Sequence, residues 1–134
     1  YYRFFNALAA FPGAALRTRT QTFALKEARS QDTPLMLAQL LGSDVDHASW
    51  NFVKENWAAL VEKLGTFQGI PSVINALGAG CSESAGTELK AFFAAHPVPE
   101  AARALQQAYE RIGACVAVDQ RQSPSFSTWL AVQP

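Results

Sequence analysis

Apolar and polar residues recur along this chain with the period of an α-helix. The clearest case is Ala48–Leu64, ASWNFVKENWAALVEKL, where Trp50, Val53, Trp57, Leu60, Val61 and Leu64 share one face and Lys54, Glu55, Glu62 and Lys63 lie off it. Burying two indoles and four aliphatic side chains contributes on the order of 10 kcal/mol before entropy is counted. The stretch is therefore read as a core helix, with both tryptophans as packing residues, and as the centre around which the chain is organised.

The same pattern predicts elements on either side. Residues 1 to about 11 carry Phe4, Phe5, Leu8 and Phe11 at helical spacing, and Pro12-Gly13 ends them. Ala14 to about Ala28 is a second helix. Its alternating Thr18, Thr20 and Thr22 would suit a strand, but the surrounding alanines and the KEAR tail favour helix. Asp32 is the expected N-cap of a helix with Pro34 in its first turn and Leu35, Leu37, Ala38, Leu40 and Leu41 along it, stopped by Gly42. Asp44 or Asp46 starts the tryptophan helix and Gly65 stops it. Phe67–Leu77 forms a shorter helix, and Ser82 caps another that runs to about Ala95 with Glu83 in its first turn. Pro97 and Pro99 make a turn, Val98 to about Val118 is a long amphipathic helix, and Ser123-Pro124 opens a closing helix with Phe126, Trp129 and Leu130.

The sum is an all-α chain of about eight antiparallel helices joined by short turns. Short connections favour a stack of HEAT-like helical hairpins, a fragment of an α-superhelix, with a compact irregular bundle as the alternative. Residues 1–134 fit a single domain. The chain opens at Tyr1 in mid-pattern, with no start signal for its first helix, so it is expected to be the C-terminal fragment of a longer chain.

Charge narrows the function. Eleven basic and eleven acidic residues balance, so no basic stripe marks a nucleic-acid partner or an anionic membrane. No apolar run approaches the ~20 residues of a membrane span. His47 and His96 belong to no metal-binding pair and read as loop histidines at the surface. The glycines of GAGCSESAG do not follow a strand, and no histidine stands near the serines there to activate one. No catalytic or metal residue is expected in the fragment.

The cysteines carry more. Cys81 lies 16 residues before Pro97 and Cys115 lies 18 after it, so the arms of an antiparallel hairpin would bring both sulfurs to the same end. Two states fit: a disulfide worth roughly 4 kcal/mol in the chain-entropy model, or two reduced, buried thiols. A disulfide would place the protein in a periplasm or outside the cell, and reduced thiols in the cytoplasm.

Read as W-x-F-V-K-x-N-W, Trp50–Trp57 resembles the C-terminal helical domain of the M1 family of zinc aminopeptidases, the puromycin-sensitive and endoplasmic reticulum type. Arg29-Ser-Gln-Asp32 resembles the family's R-x-Q-D turn. Glu88 with Phe92-Phe93 resembles its acidic helix ending in two phenylalanines, Arg103 through Glu110 and Ile112 its R-x-L-x-Q-x-x-E-x-I helix, and Trp129-Leu130 its terminal W-L. The resemblance implies a parent enzyme that removes N-terminal residues from peptides with zinc held by HExxH-x18-E and with a G-x-M-E-N motif for the substrate amine. Neither motif is present in these residues. It implies further that this is a non-catalytic domain whose partner is the catalytic domain of its own chain, packed so as to shape access of peptide substrates. Arg29, Gln31 and Asp32 are the candidates for chamber-side or interdomain contact, against a plain helix-capping role. A free-standing HEAT-like module that binds another protein is the alternative function.

Overall fold

The computed structural model describes residues 2–11, 13–44, 46–65 and 69–132. Among the described residues eight α-helices follow in order: α1 (Tyr2–Leu8), α2 (Ala14–Lys26), α3 (Thr33–Gly42), α4 (Ala48–Glu55), α5 (Trp57–Leu64), α6 (Gly69–Leu77), α7 (Glu83–Ala95) and α8 (Ala102–Leu130), with a 3-10 turn at Pro99–Ala101. No strand occurs among the described residues. The expected start of a helix at Phe67 and the contribution of the Phe4 side chain lie outside what is described. Contacts divide the chain into two compact units, Tyr1–Leu77 and Gly78–Pro134.

In the first unit α3 is the hub. It packs most extensively against α6 and also meets α1, α2 and α4. Its sequence, TPLMLAQLLG, is apolar nearly all round, which is the pattern of a helix enclosed by others. Met36, Leu37 and Leu40 from α3 join Val53, Leu60, Leu64, Ile70, Val73 and Ile74 in a core of fully buried side chains. The tryptophan stripe does face this core, with Trp50, Val53, Trp57, Leu60 and Leu64 buried and Val61 half-buried. It is a wall of the core, however, and the expectation that it forms the centre gives way to α3.

The stripe is also two helices and not one. Asn56 breaks it with φ −109° and ψ 16°, its side-chain amide donating to the Phe52 carbonyl at 2.9 Å. The carbonyl that Asn56 takes twice, through backbone and side chain, tightens the last turn of α4, and α5 restarts on the same face. At the other end Asp44 acts as the cap: its two carboxylate oxygens accept from the Ser49 and Trp50 amides at 2.9 and 2.8 Å. His47, at φ 58°, makes the turn in the left-handed region before α4.

The threonines of α2 sit comfortably in a helix because their hydroxyls bond back one turn. Thr18 donates to Ala14, Thr20 to Leu16 and Thr22 to Thr18, each to the carbonyl four residues earlier at 3.0 Å. Thr20 also donates to the Leu8 carbonyl, which ties α2 to α1.

The second unit is simpler: α7 and the 3-10 turn pack on α8. Its buried set is Leu89, Phe93, Val98, Ala101, Ala104, Ala108 and Ile112. Three alanines let the backbones approach, and Gly78 uses that closeness. A Cβ on Gly78 would stand 2.9 Å from the Ala108 Cα and 3.0 Å from its Cβ. Ser82 caps α7 as expected, accepting from the Ala85 amide at 3.1 Å, with Glu83 in the first turn.

The expected break before Ser123-Pro124 does not occur. Residues 102–130 form one helix with Pro124 inside it. Ser123 donates to the Asp119 carboxylate one turn back instead of capping a new helix, and Ser125 and Thr128 donate to backbone carbonyls within the same helix. Pro124 has no N–H to give the Gln120 carbonyl, and the helix runs on past it.

Candidate functional site

The Arg29–Asp32 segment is the turn between α2 and α3. Its backbone is held by one carbonyl, that of Arg29, which accepts from the Asp32 amide at 2.9 Å and from the Thr33 amide and hydroxyl at 3.0 Å. Thr33, fully buried, also donates to the Ala24 carbonyl near the end of α2. The turn is thus clamped to both helices.

Asp32 does not cap α3 with its side chain. Its carboxylate is buried and takes Arg29 Nε at 2.7 Å, an ion pair in which the arginine remains more than half exposed. Gln31 lies exposed between them. The three candidates therefore stand together on one turn: Asp32 inward, Arg29 held against it, Gln31 outward. An aspartate that orients an arginine fixes the direction of a guanidinium, which presents several donors to a carbonyl or carboxylate outside the turn.

Two further charged groups shape the first unit. Lys63 of α5 donates to the Leu25 carbonyl in the last turn of α2 at 2.8 Å, and burial holds its ammonium below the usual lysine range. Arg17 pairs with Asp46, and that hydrogen bond lowers the Asp46 carboxyl below its ordinary value. A cleft of about 710 Å³ lies beside α1 and α2, lined by Leu8, Phe11, Leu16 and Phe23 with Arg19 and Glu27 also in its wall. Phe11, past the end of α1, and Leu16, beside the polar run RTRTQT, are exposed.

His47 and His96 are both exposed. His96 ends α7 with its Nδ1 at 2.9 Å from the Phe92 carbonyl and its ring stacked on Phe92. Among the described residues no group of three or more His, Cys, Asp or Glu is arranged to hold a metal ion. Among the described residues no helix is long and apolar enough to cross a membrane. The sulfurs of Cys81, just before α7, and Cys115, in α8, stand at disulfide distance with Cα atoms 5.3 Å apart, and both residues are exposed.

A family model described as the ERAP1-like C-terminal domain matches residues 2–114. The chain belongs to that family. The match takes in the Arg29–Asp32 turn, both tryptophans of the split helix, and the pair Phe92-Phe93. It stops at Ala114, so Cys115 and Trp129-Leu130 lie beyond it. Within the ERAP1-like domain the landmark residues do two kinds of work. Trp50, Trp57, Phe93 and Ile112 are buried packing residues, whereas Arg29, Gln31, Arg103 and Glu110 face outward.

Proposed function

We propose that residues 1–134 act as the non-catalytic C-terminal domain of a zinc aminopeptidase, packing over the catalytic domain of the same chain and restricting which peptides reach the metal. The observation that carries this reading is the ERAP1-like family match across residues 2–114. An all-helical fold suits a role in shape and contact, with the zinc and its chemistry in the parent's catalytic domain. The helices would stack there as HEAT-like hairpins, and domain motion would gate access.

In this reading the Arg29 guanidinium, oriented by Asp32, and the exposed Gln31 make polar contacts with the catalytic domain or with a peptide in the chamber. Cys81 and Cys115 are covalently paired, and the protein works in a periplasm or outside the cell. Titration of the denatured, unreduced chain then finds no free thiol, and two reactive thiols contradict the pairing.

The coding sequence upstream of Tyr1 tests the reading as a whole. An HExxH motif with its third ligand several hundred residues upstream is the expected result. A gene whose reading frame holds no such motif makes the chain a free-standing interaction module and overturns the assignment.

A further inference from the structure

The cleft beside α1 and α2 is held open by its own walls. Thr20 donates to the Leu8 and Leu16 carbonyls at 3.1 and 3.0 Å, which ties the end of α1 to α2. Phe23, half-buried, meets the buried Phe5 edge-on with ring centroids 6.4 Å apart, so its ring is fixed from behind. In front of it Leu8, Phe11 and Leu16 are 37%, 52% and 44% exposed. The space, about 710 Å³, lies within the roughly 300–1,000 Å³ range of sites that take small ligands.

Two charges frame this apolar strip. Arg19 and Glu27 are both exposed and line the same cleft, with Phe23 midway between them on α2. Eight residues separate them, about 12 Å along the helix axis, too far for them to pair with each other. Among the described residues neither makes an ion pair, whereas Arg17, two residues before Arg19, is taken by Asp46. Glu27 stands at the C-cap of α2, where a carboxylate opposes the helix dipole, so the helix itself gains nothing from it.

An occupant that answers this arrangement is apolar in the middle, anionic at one end and cationic at the other. A fatty carboxylate would answer Arg19 but lay its tail against Glu27. A short peptide with free ends answers both. Extended chain spans roughly 3.3–3.6 Å per residue, so about four residues separate a terminal ammonium and carboxylate by about 13–14 Å. We propose that the cleft beside α1 and α2 binds an apolar tetrapeptide by both ends, its C-terminal carboxylate at Arg19 and its N-terminal ammonium at Glu27. The site is complete within α1, α2 and Phe11, apart from the Arg29–Asp32 turn, and needs no activity of a parent enzyme.

Titration calorimetry of the 134-residue chain with the peptide Leu-Ala-Ala-Leu tests this, with two-dimensional NMR to locate the site. A dissociation constant on the order of 1 mM or below is expected, with shifts centred on Leu8, Leu16, Thr20 and Phe23. Amidating the peptide's C-terminus weakens binding about three- to tenfold, Arg19→Gln does the same, and the two losses do not add. Acetylating its N-terminus and Glu27→Gln behave as a second such pair. Arg19→Glu combined with Glu27→Arg restores binding, because a zwitterion fits the reversed site, and a merely structural loss would not be restored. Absence of binding up to about 5 mM overturns the proposal. So do shifts that fall elsewhere in the chain, or octanoate that binds more tightly than the peptide and is indifferent to Glu27→Gln.

Discussion

The two units reach stability by different means. Every one of the largest fully buried side chains, from Thr33 and Met36 to Ile74, lies in the first unit. There five helices surround α3 or one another, and large aliphatic groups interlock. The second unit has two helices and a short turn, a seam dominated by alanine, and a pair of cysteines at its end. A helical pair buries too little surface to match a multi-helix core, so close backbone approach takes over part of the task, and the proposed Cys81–Cys115 cross-link would share it. The lesson is that one all-α chain holds itself by volume in one half and by proximity in the other.

The contrast breaks in measurable ways. The largest effect is expected from Leu60→Ala, which empties a fully buried site in the first unit and costs roughly 2–5 kcal/mol in urea or thermal unfolding. The second unit's transition stays where it was. Next comes Cys115→Ser together with Cys81→Ser. Opening the proposed cross-link, whose cysteines stand 34 residues apart, is expected to lower the second unit's stability by about 4 kcal/mol in the chain-entropy model, read as an earlier transition for that unit alone. Gly78→Ala drives a Cβ into Ala108 and Arg111 and destabilises the second unit by roughly 1–3 kcal/mol, visible as faster amide exchange along α8. Ser82→Ala removes the α7 cap for about 1 kcal/mol.

The smallest effect separates the units by pH. The Arg17 hydrogen bond depresses the Asp46 carboxyl, so its contribution is complete above the unfolded carboxylate value and is lost as pH falls through the lower folded one. Acidification below about pH 4 removes it from the first unit, and Asp46→Asn abolishes that part of the pH dependence. Because the pair is exposed, added salt weakens it as well.

Much of this was legible in the chain itself. The spans of α3 and α7 followed from Pro34 and Gly42 and from Ser82 and Glu83, because caps and breakers act locally. The family landmarks were legible for the same reason: they are short and keep their order. Where reading failed, a side chain's choice of partner within one helical turn decided, which apolar spacing does not encode. Asn56 splits a stripe whose apolar spacing runs through it unbroken, and spacing carries no trace of an amide that folds back on Phe52. Ser123-Pro124 is the usual start of a helix, yet Ser123 bonds back to Asp119 and the helix continues. Asp32 resembles a cap, and a carboxylate with an arginine three residues earlier has a better offer. The hub role of α3 is written in its all-round apolar sequence, whereas Trp50 and Trp57 wall the core from α4 and α5.

The role proposed for this ERAP1-like domain is to shape an aminopeptidase without performing its chemistry. The most direct measurement is hydrolysis of aminoacyl-naphthylamides by the purified 134-residue chain, with zinc supplied and with zinc chelated. No turnover above the uncatalysed rate is expected in either condition. Turnover that disappears on chelation and returns with zinc would contradict it.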